Sequence, residues 1–289
     1  MKYDCIIIGG SVAGSVSAYN LGRKGYTCLV LEQCSPDYEK ICGGGISYKA
    51  LDLLAQAGIE VESLFALDSQ TISGHIIYKG DDITEKVYKD GKVSLGIQRN
   101  LFDGFLRKQA KMRGADFCFE HKVQKVIFDG DKYNVDEYSG DRLIWAMGAR
   151  MLDGKIPTEQ SIGISGQVEG KADLSKDRFY YWYYELGCGS KYFWAFPIGN
   201  DLWNVGLWSR QPFPKMRRDY EDCLNRFFSP NLQGKWNYFR KPKAEFLGHH
   251  DQRKDHDGYI GAGDFSGMCN PLNGGGIIGA IQSALAITL

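Results

Sequence analysis

The chain lacks net charge: 35 basic residues balance 35 acidic ones over 289 positions. No basic field is therefore available to hold a nucleic acid. None of its eight cysteines forms a C-x-x-C pair, which argues against zinc and iron–sulfur centres, and no metal is expected. Free thiols in a reducing, cytoplasmic compartment are the expectation. No apolar run approaches the ~20 residues that cross a bilayer, so only peripheral contact with a membrane stays open. The first residues enter a strand directly, without the pattern of a secretory signal. Internal repeats and low-complexity tracts are also missing. What is present is enough chain for one large or two modest domains with a real core. Aromatic residues concentrate between Phe179 and Trp208.

The chain is organised around its first 33 residues. Tyr3 to Ile8 is an apolar run of strand length, Ala13 to Lys24 reads as a helix, and Tyr26 to Leu31 reads as a second strand that ends on Glu32, with Gln33 opening the loop after it. Between the first strand and the helix stand Gly9, Gly10, Ser11, Val12, Ala13 and Gly14. Gly9 permits a tight turn and Gly14 lets the helix lie close on the strand. The free N–H groups and positive dipole end of the helix suit a pyrophosphate, and Glu32 suits a ribose hydroxyl. Ser11 occupies the position where the dinucleotide fingerprint has its second glycine, which weakens the match. The competing reading is a glycine turn with no ligand.

Further along, Cys42-Gly43-Gly44-Gly45 needs a reason, because glycine costs conformational entropy. It is either a hinge before a helix over Tyr48 to Ala57 or backbone passing close to a flat ligand with a thiol beside it. Strands are expected over Gln70 to Lys79, Ile83 to Lys89, Val93 to Gln98, Ala115 to Glu120, Val123 to Phe128 and Arg142 to Met147, with Tyr133 to Tyr138 pairing back. A helix begins at Arg99. From Ile162 the pattern changes to aromatic-rich strands of an antiparallel sheet with one greasy face: Ile162 to Val168, Phe179 to Glu185, Lys191 to Pro197 and Leu202 to Ser209. Pro214 to Phe228 reads as an amphipathic helix and Ala244 to His250 as a further strand. His249, His250, Asp251 and His256 lack a metal-binding frame and read as a solvated loop. Near the end, a strand runs into Gly263-Asp264, and Gly274-Gly275-Gly276-Ile277 opens a last helix whose N–H groups suit an anionic ring edge or phosphate.

Taken together, these segments resemble the geranylgeranyl reductases, within the larger group of FAD enzymes that includes p-hydroxybenzoate hydroxylase. GGSVAG with Glu32 resembles the FAD fingerprint, and Ile41 to Ser47 the Cys-Gly segment beside the flavin. Arg99 before Leu101-Phe102-Asp103 resembles the arginine-to-helix segment of the wider group. Gly263-Asp264 with Pro271, Gly274 and Gly276 resembles the motif holding the ribityl chain and ring. Tyr192-Phe193-Trp194-Ala195-Phe196-Pro197 is similar to the reductases' Y-x-W-x-F-P motif lining a prenyl cavity. Met147-Gly148 stands where many relatives carry an acid-glycine pair, and Ile198 where reductases often have lysine. The resemblance also runs out early, since family members commonly continue past the last helix.

The resemblance implies a Rossmann-like α/β FAD-binding domain (residues 1–60, 93–150 and 258–289) interleaved with an antiparallel-sheet substrate domain (61–92 and 151–257). It implies FAD contacts from Gly9, Ser11, Val12, Ala13, Gly14, Glu32, Gln33, Gly43, Gly44, Arg99, Val123, Gly148, Gly263, Asp264, Gly274, Gly276 and Ile277. Cys42 would be the catalytic side chain, and Tyr192, Trp194 and Phe196, at period two on one strand face, would wall the substrate. The implied reaction is hydride transfer from reduced flavin to an isolated C=C bond of a prenyl lipid, a hydrophobic small molecule. Electrons would come from a transiently docked NAD(P)H or a small reduced carrier. Two alternatives share the scaffold: an FAD monooxygenase of an aromatic substrate, and a non-catalytic flavin-binding redox partner.

Overall fold

A computed structural model describes residues 2–149, 160–184, 191–209, 213–249 and 260–289. In chain order its strands are β1 Lys2–Ile8, β2 Cys28–Leu31, β3 Gly45–Ile46, β4 Ser69–Ile72, β5 Gly74–Lys79, β6 Asp82–Val87, β7 Ser94–Ile97, β8 Asp116–Cys118, β9 Val126–Phe128, β10 Tyr133–Val135, β11 Tyr138–Trp145, β12 Gln160–Glu169, β13 Arg178–Tyr183, β14 Tyr192–Gly199, β15 Leu202–Ser209, β16 Asn237–Gly248 and β17 Ile260–Gly261. The helices are α1 Val12–Gly22, α2 Tyr48–Gln56, α3 Arg99–Lys111, α4 Phe213–Cys223 and α5 Ile277–Leu285.

The first sheet has the order β8-β2-β1-β11-β10-β9, with β17 also on β11. Its β8, β2, β1, β11 and β17 run parallel, while β10 pairs antiparallel with β11 and β9. A parallel strand covered on both faces must be apolar throughout, and Ile6, Ile7 and Ile8 are all buried. Cys5 and Ile7 enter the core beneath α1, α3 and α5, while Ile6 and Ile8 enter a second cluster with Leu29, Leu31, Leu143 and Trp145.

The second sheet, β16-β12-β15-β14-β13-β5-β6, is antiparallel except that β5 and β13 run parallel. One face packs on α4 through residues such as Phe193, Trp203, Val205 and Leu207. The opposite face carries Phe179, Trp194, Phe196, Ile198 and Trp208. A small sheet, β3-β7-β4, joins the two; Gly96 of β7 crosses β14 so closely that a Cβ there would meet Pro197 O at 1.9 Å.

Several expected elements differ. The run Gln70 to Lys79 splits at Ser73 into β4 and β5, which belong to different sheets. Ser73 bonds across to Asp177, its N–H to the carbonyl at 2.9 Å and its hydroxyl to the carboxylate at 2.6 Å. The strand expected from Ala244 begins at Asn237. The helix expected through Phe228 leaves α geometry after Cys223 for a π turn over Leu224–Phe228. No helix among the described residues is long and apolar enough to cross a membrane.

Candidate functional site

The turn after β1 is built by close approach. Gly9 has φ +105°, and a Cβ at Gly14 would lie 1.8 Å from Gly9 O, so any side chain there pushes α1 off the strand. Glu32 pins the turn at the end of β2: its carboxylate accepts from Gly10 N at 2.6 Å and Cys34 N at 2.8 Å. Gln33 is exposed just beyond it. Val12 and Ala13 open α1, whose first N–H groups have no intrahelical partner and receive no side-chain cap.

Ser11 is placed more purposefully than the fingerprint comparison suggests. Its hydroxyl donates to Asp103 Oδ2 at 2.7 Å and accepts from Arg99 Nη2 at 2.8 Å. Arg99 Nε in turn donates to Asp103 Oδ1 at 2.9 Å, and both side chains are almost wholly buried. Burial works against the guanidinium charge, but Asp103 and the neighbouring Cys42 thiol outweigh it, so Arg99 holds its proton more firmly than an ordinary arginine. The serine therefore ties the glycine turn to α3 and to a buried cation.

One residue missed in the sequence completes this arrangement. Glu39 accepts from Arg99 N at 3.0 Å and Asn100 N at 2.8 Å, capping α3 from outside, and also accepts from Gln167 Nε2 of β12 at 2.9 Å. An anion at a helix N-terminus is stabilising, and here it fixes the segment that leads to Cys42. Nothing in the local pattern signals it, because its partners lie 60 and 128 residues away.

Cys42 and the glycines after it lie against the second sheet. A Cβ at Gly43 would sit 3.0 Å from Phe196 and 3.2 Å from Trp194 Nε1, and one at Gly44 would meet Ile97 O at 2.5 Å. The Cys42 carbonyl accepts from Asn204 Nδ2 at 2.7 Å and from Ser165 Oγ at 3.4 Å. Asn204 Oδ1 accepts from Trp194 Nε1 at 2.9 Å, so one buried amide links the cysteine segment to the aromatic face. Trp194 and Phe196 pack ring against ring with Phe179, Tyr181 and Tyr192. Tyr192 donates its hydroxyl to Asn273 O at 2.6 Å.

On the third side, Gly263 brings its segment against Ala13, where a Cβ would be 2.9 Å from the alanine methyl. Asp264 Oδ2 accepts from Gly248 N at 3.1 Å, and among the described residues Oδ1 has no hydrogen-bond partner. Burial pushes the Asp264 carboxyl above its ordinary value, against the pull of Gly248 N–H and the charges of Lys40 and Arg99. Gly276 faces that carboxylate, a Cβ there being 3.0 Å from Oδ1, and Ile277 begins α5, which has no side-chain cap.

Two expected residues lie apart from this cluster. Val123 is buried in the core cluster with Tyr3, Ile6 and Leu31; it reaches the site only through its segment, as His121 N bonds to Glu32 O at 3.0 Å. Gly148 (φ +81°) faces open space, two residues past Ala146, whose carbonyl abuts Gly9. His249 is no solvated loop residue: Nε2 meets Ser161 Oγ at 2.6 Å and Nδ1 meets Cys269 O at 2.9 Å. His250, Asp251 and His256 lie outside the described residues. Two open hollows of about 420 and 410 Å³ flank Arg142, at the opposite strand ends.

The residues fit a dinucleotide. Two uncapped helix N-termini, a buried arginine and a half-bonded buried carboxylate converge at the strand ends, around glycines whose side chains would fill the cleft. A family model described as an FAD binding domain matches residues 2–141. A digeranylgeranylglycerophospholipid reductase 2 of Methanothermobacter thermautotrophicus is 27% identical, covering 98% of this chain and 76% of its own. Its namesake in Methanopyrus kandleri is 25% identical over 96% of this chain and 74% of its own. The chain is thus similar, along nearly its whole length, to digeranylgeranylglycerophospholipid reductases. Among solved structures, a geranylgeranyl bacteriochlorophyll reductase-like protein of Thermoplasma acidophilum superposes with a TM-score of 0.78 at 21% identity, covering 98% of this chain and 76% of that one. A myxobacterial chondrochloren halogenase gives 0.77 at 18% identity over 98% and 72%; at that identity the likeness is one of fold. With an FAD-binding domain and reductase relatives along nearly its whole length, the chain is an FAD-dependent, geranylgeranyl reductase-like enzyme.

Proposed function

We propose that this protein reduces isolated C=C bonds of an isoprenoid lipid. The observation that carries the reading is the junction of Cys42 with the aromatic face: a thiol beside a buried arginine, its backbone held by Asn204, against Trp194 and Phe196. Bound FAD, once reduced, supplies the hydride. The remaining work falls to the chain. Gly9, Ser11, Val12, Ala13 and Gly14 with Arg99 hold the pyrophosphate, Glu32 and Gln33 the adenosine ribose with Val123 and Gly148 flanking, Asp264 the ribityl hydroxyls, and Gly43, Gly44, Gly263, Gly274, Gly276 and Ile277 the ring. Residues 1–60, 93–150 and 258–289 act as the FAD-binding domain, with 61–92 and 151–257 over it.

An alkene offers no polar handle, so the site must hold it by shape. Tyr192, Trp194 and Phe196 provide an apolar wall, each burial being worth roughly 1.5–3 kcal/mol. Cys42 supplies the proton that the second carbon needs, its sulfur lying beside the Arg99 guanidinium. The electron donor is a transiently docked nicotinamide or a small reduced carrier, and the protein works in the cytoplasm, with peripheral membrane contact open to it. Incubating reduced holoprotein with a geranylgeranyl lipid and weighing the product tests this. Two added hydrogens per double bond, lost in Cys42→Ser while FAD stays bound, are expected. A lipid recovered unchanged by the parent protein would sink the reading.

A further inference from the structure

The segment from Asp264 to Gly276 would carry both the ribityl acceptor and the approach to α5, yet residues 269–275 form no regular element. Loops are held by what they bond to; besides its own turn bonds, such as Gly274 N to Asn270 O at 2.8 Å, this one is tied to the second sheet. Tyr192 donates to Asn273 O, and the Trp208 indole lies over Gly274, where a Cβ would be 2.5 Å from its ring. The third hold is a buried relay. Trp208 Nε1 donates to Ser161 Oγ at 2.8 Å. The carbonyl of Cys269 can only accept, so His249 must present N–H at Nδ1. In the neutral ring Nε2 is then an acceptor, and Ser161 donates to it at 2.6 Å. Every donor and acceptor in the chain Trp208–Ser161–His249–Cys269 is matched, and Ser161 and Trp208 are buried. The main chain adds a second tie beside it, Cys269 N to Gly248 O at 3.2 Å.

We infer that His249 is a positioning residue for the cofactor: by fixing the Cys269 carbonyl against β12 it presets the 269–276 backbone to receive the flavin ring. The inference rests on the FAD reading of the site. A preset loop gives up less conformational freedom when the ligand arrives, so removing the hold weakens binding even where no ligand contact is lost.

The test is FAD titration of the protein by flavin fluorescence, comparing parent, His249→Gln, His249→Asn and Ser161→Ala, with melting curves of each apoprotein. An asparagine amide lies where Nδ1–H lies and keeps the bond to Cys269 O, whereas the longer glutamine amide reaches the Nε2 position and loses it. Expected is a Kd raised about tenfold in His249→Gln, the worth of one hydrogen bond, and raised less, about threefold, in His249→Asn and Ser161→Ala, which keep the bond to Cys269 O but cut its tie to β12. A merely structural role would lower all the melting temperatures and leave Kd where it was, which overturns the inference. Should His249→Gln fail to fold, Ser161→Ala decides: a Kd within twofold of the parent overturns the relay, and a weaker one supports it. A parent protein that takes up no FAD overturns the wider reading, while equal uptake by parent and His249→Gln overturns this inference alone.

Discussion

Replacing Asn204 by alanine perturbs the joint between the cysteine segment and the aromatic sheet. Asn204 is 3% exposed and makes two side-chain bonds, accepting from Trp194 Nε1 at 2.9 Å and donating to Cys42 O at 2.7 Å. Each is worth about 0.5–1.5 kcal/mol net, and stranding the buried indole N–H adds about 1–3 kcal/mol. Ser165 still reaches the Cys42 carbonyl at 3.4 Å, so that end is only partly orphaned. The expected loss is about 2–4 kcal/mol in urea unfolding of the apoprotein. Asn204→Asp separates bonding from volume. It keeps an acceptor for Trp194 but sets a carboxylate oxygen against the Cys42 carbonyl, so it should be no more stable than Asn204→Ala. An alanine variant within about 0.5 kcal/mol of the parent, or an aspartate variant that restores stability, would refute the reasoning.

Asp103→Ala leaves Arg99 buried and unpaired, and the apoprotein should lose about 3–5 kcal/mol by the same assay, with Ser11→Gly far milder. Asp264→Asn should stabilise the apoprotein with increasing pH. The buried carboxyl has a raised folded-state value, so the stability of its protonated form is full below the ordinary 3.8 and is lost as pH climbs through the raised value. The gap between variant and parent is therefore nil near pH 3 and opens above 3.8, while FAD affinity falls because a hydroxyl acceptor is gone. Gly14→Ala forces a methyl to 1.8 Å from Gly9 O, and the purified protein should be colourless where the parent is yellow.

Local signals made the first strand, turn, helix and second strand legible, because apolar run, glycine turn and terminal acid all lie within 33 residues. The alternation of Tyr192, Trp194 and Phe196 with Phe193 and Ala195 gave the two faces of β14 correctly. Alternation says nothing of pairing partners, so the parallel union of β5 with β13, about 100 residues apart, was not visible. The first half of β16, with Arg240, Lys241, Pro242 and Lys243, is too polar to read as a strand; it is a sheet edge, where charge and proline are tolerated. Ser11 looked like a defect in a fingerprint because its partner Asp103 lies 92 residues away. Glu39 and His249 were hidden for the same reason: each acts through long-range bonds to main chain or a buried hydroxyl, and no spacing rule encodes such contacts.

The most direct test of the central claim is the anaerobic absorbance of the reduced flavin. The holoprotein is reduced until its colour bleaches, a geranylgeranyl lipid is added without oxygen, and the return of the oxidised band is followed with the product. The account predicts that the lipid alone restores the band, one saturated bond per flavin reoxidised. Colour that returns only when air is admitted, quickened by an aromatic compound and leaving the lipid unsaturated, would contradict it and point to oxygen chemistry on the same scaffold.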